Sequence, residues 1–278
     1  MTKLEYTFKT DTLFKMLFVK YPKLLQKLVA ELLGIPFESI SQFEIKNSEM
    51  LPEIIGDKFC RLDITMTVNG QRVDLEVQVD NEGDYPERTM FYWAREFSTS
   101  LSEGQKYSML PRTIIISIIN FKLFNCKEFH SEFQPLEVQR HELLSDKMCF
   151  HFFELPKLPK DISEENMLLL WLALFKAETE EDLEKIKSLE VPIMREVINA
   201  YYSVASSSEF REIERLRSRA RHDEAQALAN AEERGEKRGE ERGIRLGEER
   251  GEKRANKKWQ SIVADKDAEI ERLRKLLK

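Results

Sequence analysis

The sequence predicts an α/β fold, a mixed central sheet flanked by helices and followed by a helical extension. Three observations carry this. Residues 60–80, CRLDITMTVNGQRVDLEVQVD, set Asn69-Gly70 between two runs of alternating apolar and polar residues, the pattern of a β-hairpin closed by a two-residue type I′ turn. Residues 113–119, TIIISII, form a β-branched run that reads as a strand buried on both faces. Residues 11–34 and 86–103 repeat apolar side chains at helical spacing.

The hairpin turn fixes a register. With Val68 opposite Gln71, Thr65 falls opposite Asp74, Asp63 opposite Glu76 and Arg61 opposite Gln78. Side chains alternate across a strand, so Leu62, Ile64, Met66, Val68, Val73, Leu75, Val77 and Val79 make an apolar core face. The other face carries Arg61, Asp63, Thr65, Asp74, Glu76 and Gln78. Directly opposed like charges have Cβ atoms about 4.5–5.5 Å apart and are destabilising. A hard divalent cation neutralises such a pair, and a solvated polar face produces the same alternation. Three acidic groups around one spot, with few lysines, favour the cation.

Asp63 followed on the next strand by Glu76-Val77-Gln78 resembles the D…ExQ form of the PD-(D/E)XK nuclease signature. Asp11-Thr-Leu-Phe14-Lys15, the stretch from Pro86-Glu-Arg to Tyr92-Trp-Ala-Arg95, and Pro111-Arg-Thr-Ile-Ile-Ile-Ser117-Ile-Ile-Asn120 extend the likeness. Over residues 5–155 the chain resembles the Rpn family of recombination-promoting nucleases, also called PD-(D/E)XK family transposases. The resemblance implies a restriction-endonuclease-like core and an Mg²⁺ (or Mn²⁺) ion bound by Asp63, Glu76 and the backbone carbonyl of Val77. It also implies a catalytic role for Gln78 where lysine is usual, a double-stranded DNA substrate, and a link to recombination. A neutral amide stabilises developing charge less well than an ammonium group.

Elsewhere in this domain, Asp11 or Thr12 is expected to cap a helix with Leu13, Phe14, Met16, Leu17 and Phe18, and a second helix ends at Gly34. Asp11 and Lys15 lie one turn apart and can both face the polar side of the hairpin, Asp11 as a further metal ligand and Lys15 toward phosphate. An N-cap and a solvated lysine fit the same spacing. Residues 42–48 read as a strand. The helix over 86–103 is expected to gather Met90, Phe91, Ala94, Phe97 and Leu101 on one face, leaving Arg88, Tyr92 and Arg95 to meet phosphate. Strands are expected near 128–133, 137–142 and 149–154. Cys126, His130, His141, Cys149 and His151 fall there, but their spacings match none of the usual zinc pairs and they read as structural residues. No GxxxxGK[ST], HExxH or GxSxG motif occurs.

The paired prolines of residues 155–160 read as a linker closing a nuclease-like domain over 1–155. A helical subdomain over 161–208 follows, with helices at 164–176, 180–188 and 192–205. Residues 209–278 form a charged tail in which Gly235, Gly239, Gly243, Gly247 and Gly251 recur every four residues. One row of intervening positions, Glu233, Lys237, Glu241, Arg245, Glu249 and Lys253, alternates in sign and favours helix by about 0.2–0.5 kcal/mol per pair. Five glycines at about 1 kcal/mol each oppose it, so a helix and a flexible charged linker both remain open. Trp259, Val263, Lys266, Ile270, Leu273 and Leu277 follow at a/d spacing of a short coiled coil, which predicts a homo-oligomer.

The formal net charge of −6 excludes a generally basic nucleic-acid binder, so DNA contact has to come from a local basic patch or through metal-bridged phosphates. No apolar run approaches a membrane span and the N-terminus lacks signal-peptide features, so a cytoplasmic protein is expected. Cys60, Cys126 and Cys149 fit reduced thiols. The favoured function is a metal-dependent DNA endonuclease. The alternative is a catalytically weak DNA-binding or oligomerisation protein whose tail is the working part.

Overall fold

The computed structural model describes residues 2–46, 64–101 and 103–276. They fall into two compact units, Met1–Glu214 and Arg215–Lys278. The first holds a six-stranded mixed sheet in the order β1-β2-β3-β4-β6-β5. The strands are β1 (Phe43–Ile45), β2 (Ile64–Val68), β3 (Gln71–Gln78), β4 (Thr113–Ile119), β5 (His130–Phe133) and β6 (Met148–Glu154). β4 runs parallel to both its neighbours, and the other pairings are antiparallel.

The hairpin has the expected register, with Val68 opposite Gln71 and Thr65 opposite Asp74. Asn69 and Gly70 have φ of 49° and 76°, the two positive values that a type I′ turn requires. The Asn69 side chain also fastens the turn to the chain before β1. Its Oδ1 accepts from the Ser41 and Gln42 amides at 2.9 and 3.1 Å, and its Nδ2 donates to the Ser39 carbonyl at 2.9 Å. Residues 60–63, with Asp63 among them, lie outside the described residues, and the register ends at Ile64 opposite Leu75.

Every residue of β4 is buried, because it is flanked by strands on both edges and covered on both faces. One face joins the larger core: Ile64, Met66, Val73, Leu75, Ile114, Ile116, Ile118, Cys149 and Phe153 pack with α1 (Asp11–Lys20) and α2 (Pro22–Leu33). Helices α4 (Met167–Lys176), α5 (Glu180–Ser188) and α6 (Pro192–Ala205), read from sequence as a helical subdomain, contribute to this same core. α4 is apolar all round and Leu169 through Phe175 are buried, as expected of a helix enclosed on all sides. It starts at Met167, three residues later than the sequence suggested, because the Asn166 side chain accepts from the Leu169 amide at 3.0 Å. α5 opens with a capping box between Thr179 and Asp182. Gly34 ends α2 in the left-handed conformation, φ 64°.

The opposite face carries a smaller core of Tyr85, Ile115, Ile119, Phe150 and Phe152, covered by α3 (Tyr85–Ser98). Here the structure corrects the expected helix face. Met90, Phe91 and Ala94 are exposed, whereas Tyr85 and Thr89 are buried and Trp93 packs on the core. The helix turns its i, i+4, i+8 stripe inward, and that stripe contains a tyrosine and a threonine that an apolar search passes over. α3 stops at Ser98 rather than 103, where the Ser98 and Thr99 hydroxyls turn back to the Arg95 carbonyl, each at 3.0 Å.

Other expectations change too. Residues 137–142 form a turn bridged by Leu136 and Leu143, and His141 sits in it exposed with φ 56°. The stretch expected as a linker is a short 3-10 turn, Leu155–Lys157, anchored by buried Leu155 and Leu158. Thr10 occupies the N-cap position of α1, so neither Asp11 nor Thr12 does.

α7 runs over Ser208–Leu276 and begins within the first unit, where Phe210 is buried and the Thr12 hydroxyl donates to Glu214 at 2.6 Å. In the second unit the helix continues through all five glycines, with Lys237 paired to Glu233 at 2.7 Å. Of the two readings left open for the tail, the structure takes the helix. Trp259, Val263, Ile270 and Leu273 are exposed along it, and Leu277 lies outside the described residues. Among the described residues no helix is long and apolar enough to cross a membrane.

Candidate active site

β3 turns Asp74, Glu76 and Gln78 to the α3 side of the sheet. The parallel register sets Ser117 beside Glu76 and Ile119 beside Gln78. This polar row is covered rather than solvated: Glu76 and Gln78 are 3% and 8% exposed. A carboxylate at that depth requires donors. The Tyr85 hydroxyl, from the first residue of α3, and the Ser117 hydroxyl at 3.0 Å both donate to Glu76 Oε1. The Tyr85 ring is itself held edge-on by Phe121 and Phe152, and the Arg88 guanidinium lies 4.8 Å from its centroid.

Acidic groups crowd this face. Burial pushes the Asp74 carboxyl up to about 8, the charges of Glu76 and Glu96 add to the shift, and a hydrogen bond from the Thr65 hydroxyl opposes it. Gln78 Nε2 donates to the Asp80 carbonyl at 2.7 Å, which commits one of its two amide hydrogens. Val77 lies between Glu76 and Gln78 on β3.

Next to Asp74 a cavity of about 480 Å³ is lined by Lys46, Thr65, Met66, Thr67, Arg72 and Glu96. Arg72 pairs with Glu96 at 3.1 Å, and Lys46 with Glu44 at 2.6 Å. Sequence reasoning missed these two cations. Arg72 shares its parity with Asp74 and Glu76, which was the available signal. Of the basic and aromatic candidates, Arg88 pairs with Glu82 at 2.9 Å, Tyr92 is half-buried against Phe91, and Arg95 is exposed. Asp11 is half-buried and Lys15 buried on α1, both engaged in polar contacts.

The structure also gathers residues that the spacing kept apart. On β5 and β6, on the sheet face away from Glu76, Glu132, Cys149 and His151 bring one ligand atom each to within 4.8 Å of the others. His130 joins them, whereas Cys126 is exposed and His141 belongs to the distant turn. The signal was the pair of alternations H-x-E and C-x-H, which two antiparallel strands turn to one face.

A mixed sheet whose adjoining strands hold a buried, doubly donated carboxylate among further acidic groups defines a nuclease-like α/β protein. The chain matches the PD-(D/E)XK nuclease family transposases over residues 8–231, and it belongs to that family. Comparison with curated proteins and with solved structures gives no match.

Proposed function

We propose that the chain is a metal-dependent endonuclease that cuts double-stranded DNA in a recombination or transposition setting. Asp63, Glu76 and the Val77 carbonyl are the proposed ligands of Mg²⁺ or Mn²⁺; Asp11 is not among them, because α1 packs on the sheet face opposite Glu76. The donor set fits such an ion, because oxygen is the atom a hard cation takes and because the charges of Glu76 and Glu96, which add to the burial that raises Asp74, are of the kind a cation offsets. When bound there, a divalent cation supplies charge neutralisation on the phosphate and a lowered pKa for an attacking water.

The chain's own residues hold the geometry. Tyr85 and Ser117 fix the Glu76 carboxylate, and Gln78 offers its remaining amide hydrogen and carbonyl to water or phosphate. Arg95 and Tyr92 on α3, with Arg88, Arg72 and Lys46, are the proposed contacts to the DNA backbone, consistent with a local cationic patch on an acidic chain; Lys15, buried on α1, is not one of them. A cytoplasmic protein that self-associates through its tail completes this reading. The observation that carries it is the pair of side-chain hydroxyls, from Tyr85 and Ser117, that hold one oxygen of the buried Glu76 carboxylate in place.

A plasmid-nicking assay with Mg²⁺, and with EDTA as control, tests the reading. Asp63→Ala and Glu76→Gln are expected to abolish nicking while the circular dichroism spectrum stays unchanged. Nicking that survives both substitutions overturns it. A second reading, a catalytically weak DNA-binding or oligomerisation protein, is favoured by one observation: Gln78 stands where a cation is usual and has committed a hydrogen to Asp80. Sequence-independent DNA binding without metal-dependent nicking would establish that reading.

A further inference from the structure

β5 is the edge strand of the sheet, four residues long, and it lays Glu132 directly opposite His151 on β6. Cys149, two residues before His151, points to the same face. The Cys149 thiol lies 3.3 Å from His151 Nε2 and 3.4 Å from Glu132 Oε1. A tetrahedral zinc ion with bonds of about 2.3 Å to sulfur and about 2.0–2.2 Å to nitrogen and oxygen places neighbouring ligand atoms about 3.5 Å apart. The two edges that meet at the thiol already stand close to that length, and the third, between the His151 and Glu132 ligand atoms, is within 4.8 Å.

His151 has the second feature of a metal ligand. Its Nδ1 lies 3.0 Å from His130 Nε2, and the His130 ring is stacked on Phe153 with centroids 4.4 Å apart and planes 5° from parallel. With the proton of His151 on Nδ1 and donated to His130, the lone pair on Nε2 points toward the thiol and carboxylate, the outer-sphere arrangement that fixes metal-ligating histidines. Burial holds both imidazoles below the usual histidine range, His151 down to about 4. A nucleophilic role for Cys149 fits poorly, because the residue is fully buried and burial pushes its thiol up.

From this geometry we infer a second metal site, separate from the carboxylate centre, in which Cys149 Sγ, His151 Nε2 and a Glu132 oxygen bind Zn²⁺. The mixed sulfur, nitrogen and oxygen donors suit zinc and not magnesium. Two anionic ligands and a neutral imidazole balance the charge of the ion. Arg112, beside Cys149 and Glu132, favours the thiolate that coordination needs and works against the ion's own charge, and the two anions outnumber it. Glu132 is exposed, so the fourth position faces solvent and takes water. Bound there, zinc staples the edge strand to β6.

Cobalt(II) titration of the EDTA-treated full chain tests the site. Co²⁺ bound by a thiolate gives a near-ultraviolet charge-transfer band that an all-oxygen carboxylate site cannot give. One equivalent is expected to produce the band, Zn²⁺ to remove it, and excess Mg²⁺ to leave it. Cys149→Ala is expected to lose it, and Cys126→Ala, Cys60→Ala and Glu76→Gln to keep it. Glu132→Gln, at an exposed position, is expected to weaken binding by about tenfold or more, since even outer-sphere changes cost about that much. No band, a band surviving Cys149→Ala, or unchanged affinity in Glu132→Gln overturns the assignment. The Glu132→Gln result decides the matter even where Cys149→Ala fails to fold.

Discussion

The hydroxyl of Tyr85 donates to Oε1 of Glu76, joining the first turn of α3 to the middle of β3. The ring that carries this hydroxyl belongs to the small aromatic core, so the carboxylate is positioned by packing as well as by hydrogen bonding. Tyr85→Phe keeps the ring and removes only the donor. A hydrogen bond to a charged group contributes about 1.5–3 kcal/mol, so nicking is expected to fall by about tenfold or more with melting little changed. Single-turnover nicking against Mg²⁺ concentration checks this. An unchanged rate at every concentration would mean that Glu76 needs no orientation.

Asp74 gives the metal-free protein a pH dependence. Its carboxyl is raised from 3.8 to about 8, so across that window the folded chain retains a proton that the unfolded chain has released. Stability is therefore expected to fall as pH rises through the window and to reach its floor above about 8. Asp74→Asn removes this contribution. In EDTA, its urea midpoint relative to the parent is expected to improve between about pH 5 and pH 8.5. A constant difference would show that Asp74 titrates normally.

Gln78 is 8% exposed and donates to the Asp80 carbonyl, a bond that a lysine ammonium can also make. The neighbouring Glu76 carboxylate, two residues away on the same face of β3, favours a cation there. Gln78→Lys is thus expected to preserve or raise nicking, and Gln78→Leu to lower it. Equal rates in all three proteins would remove Gln78 from the chemistry.

In the tail, Trp259, Val263, Ile270 and Leu273 expose apolar surface along a helix that is otherwise charged. Truncation before Ala255 is expected to lower the sedimenting mass to that of a smaller assembly. Salt is expected to do less, since it screens exposed charges within about 10 Å at 0.1 M but leaves apolar contacts in place. The same number of protomers before and after truncation would assign any assembly to the folded domain.

Much of the fold was legible because it rests on local rules. Asn69-Gly70 dictated the turn, the β-branched run gave β4 to the residue, and the helices expected at 180–188 and 192–205 stand with those bounds. Glu76 and Gln78 were legible as one row by parity alone. What supports them was not. Tyr85 and Ser117 reach Glu76 from elements nine and forty-one residues away, and nothing local marks a tyrosine as a carboxylate's donor. The face of α3 was misread for the same reason, since its buried stripe is partly polar. Cys149 and His151 were read as structural residues on spacing, and Glu132 was not considered, because zinc patterns assume ligands paired within one segment, whereas here two strands bring the three together.

Because side chains alternate along β3, sliding that strand by one residue against β2 would send Leu75 to the acidic face and bury Glu76 in the larger core. The guard against this error is Asn69, whose side chain bonds to the backbone of residues 39, 41 and 42 while its own backbone makes the turn. Glu76 lies six residues beyond Gly70, about 20 Å along an extended strand. Inactivating lesions in this chain therefore need not touch the acidic centre: a fault at the turn would misaddress every functional group on β3 at once, yielding a compact protein with its chemistry facing the wrong way.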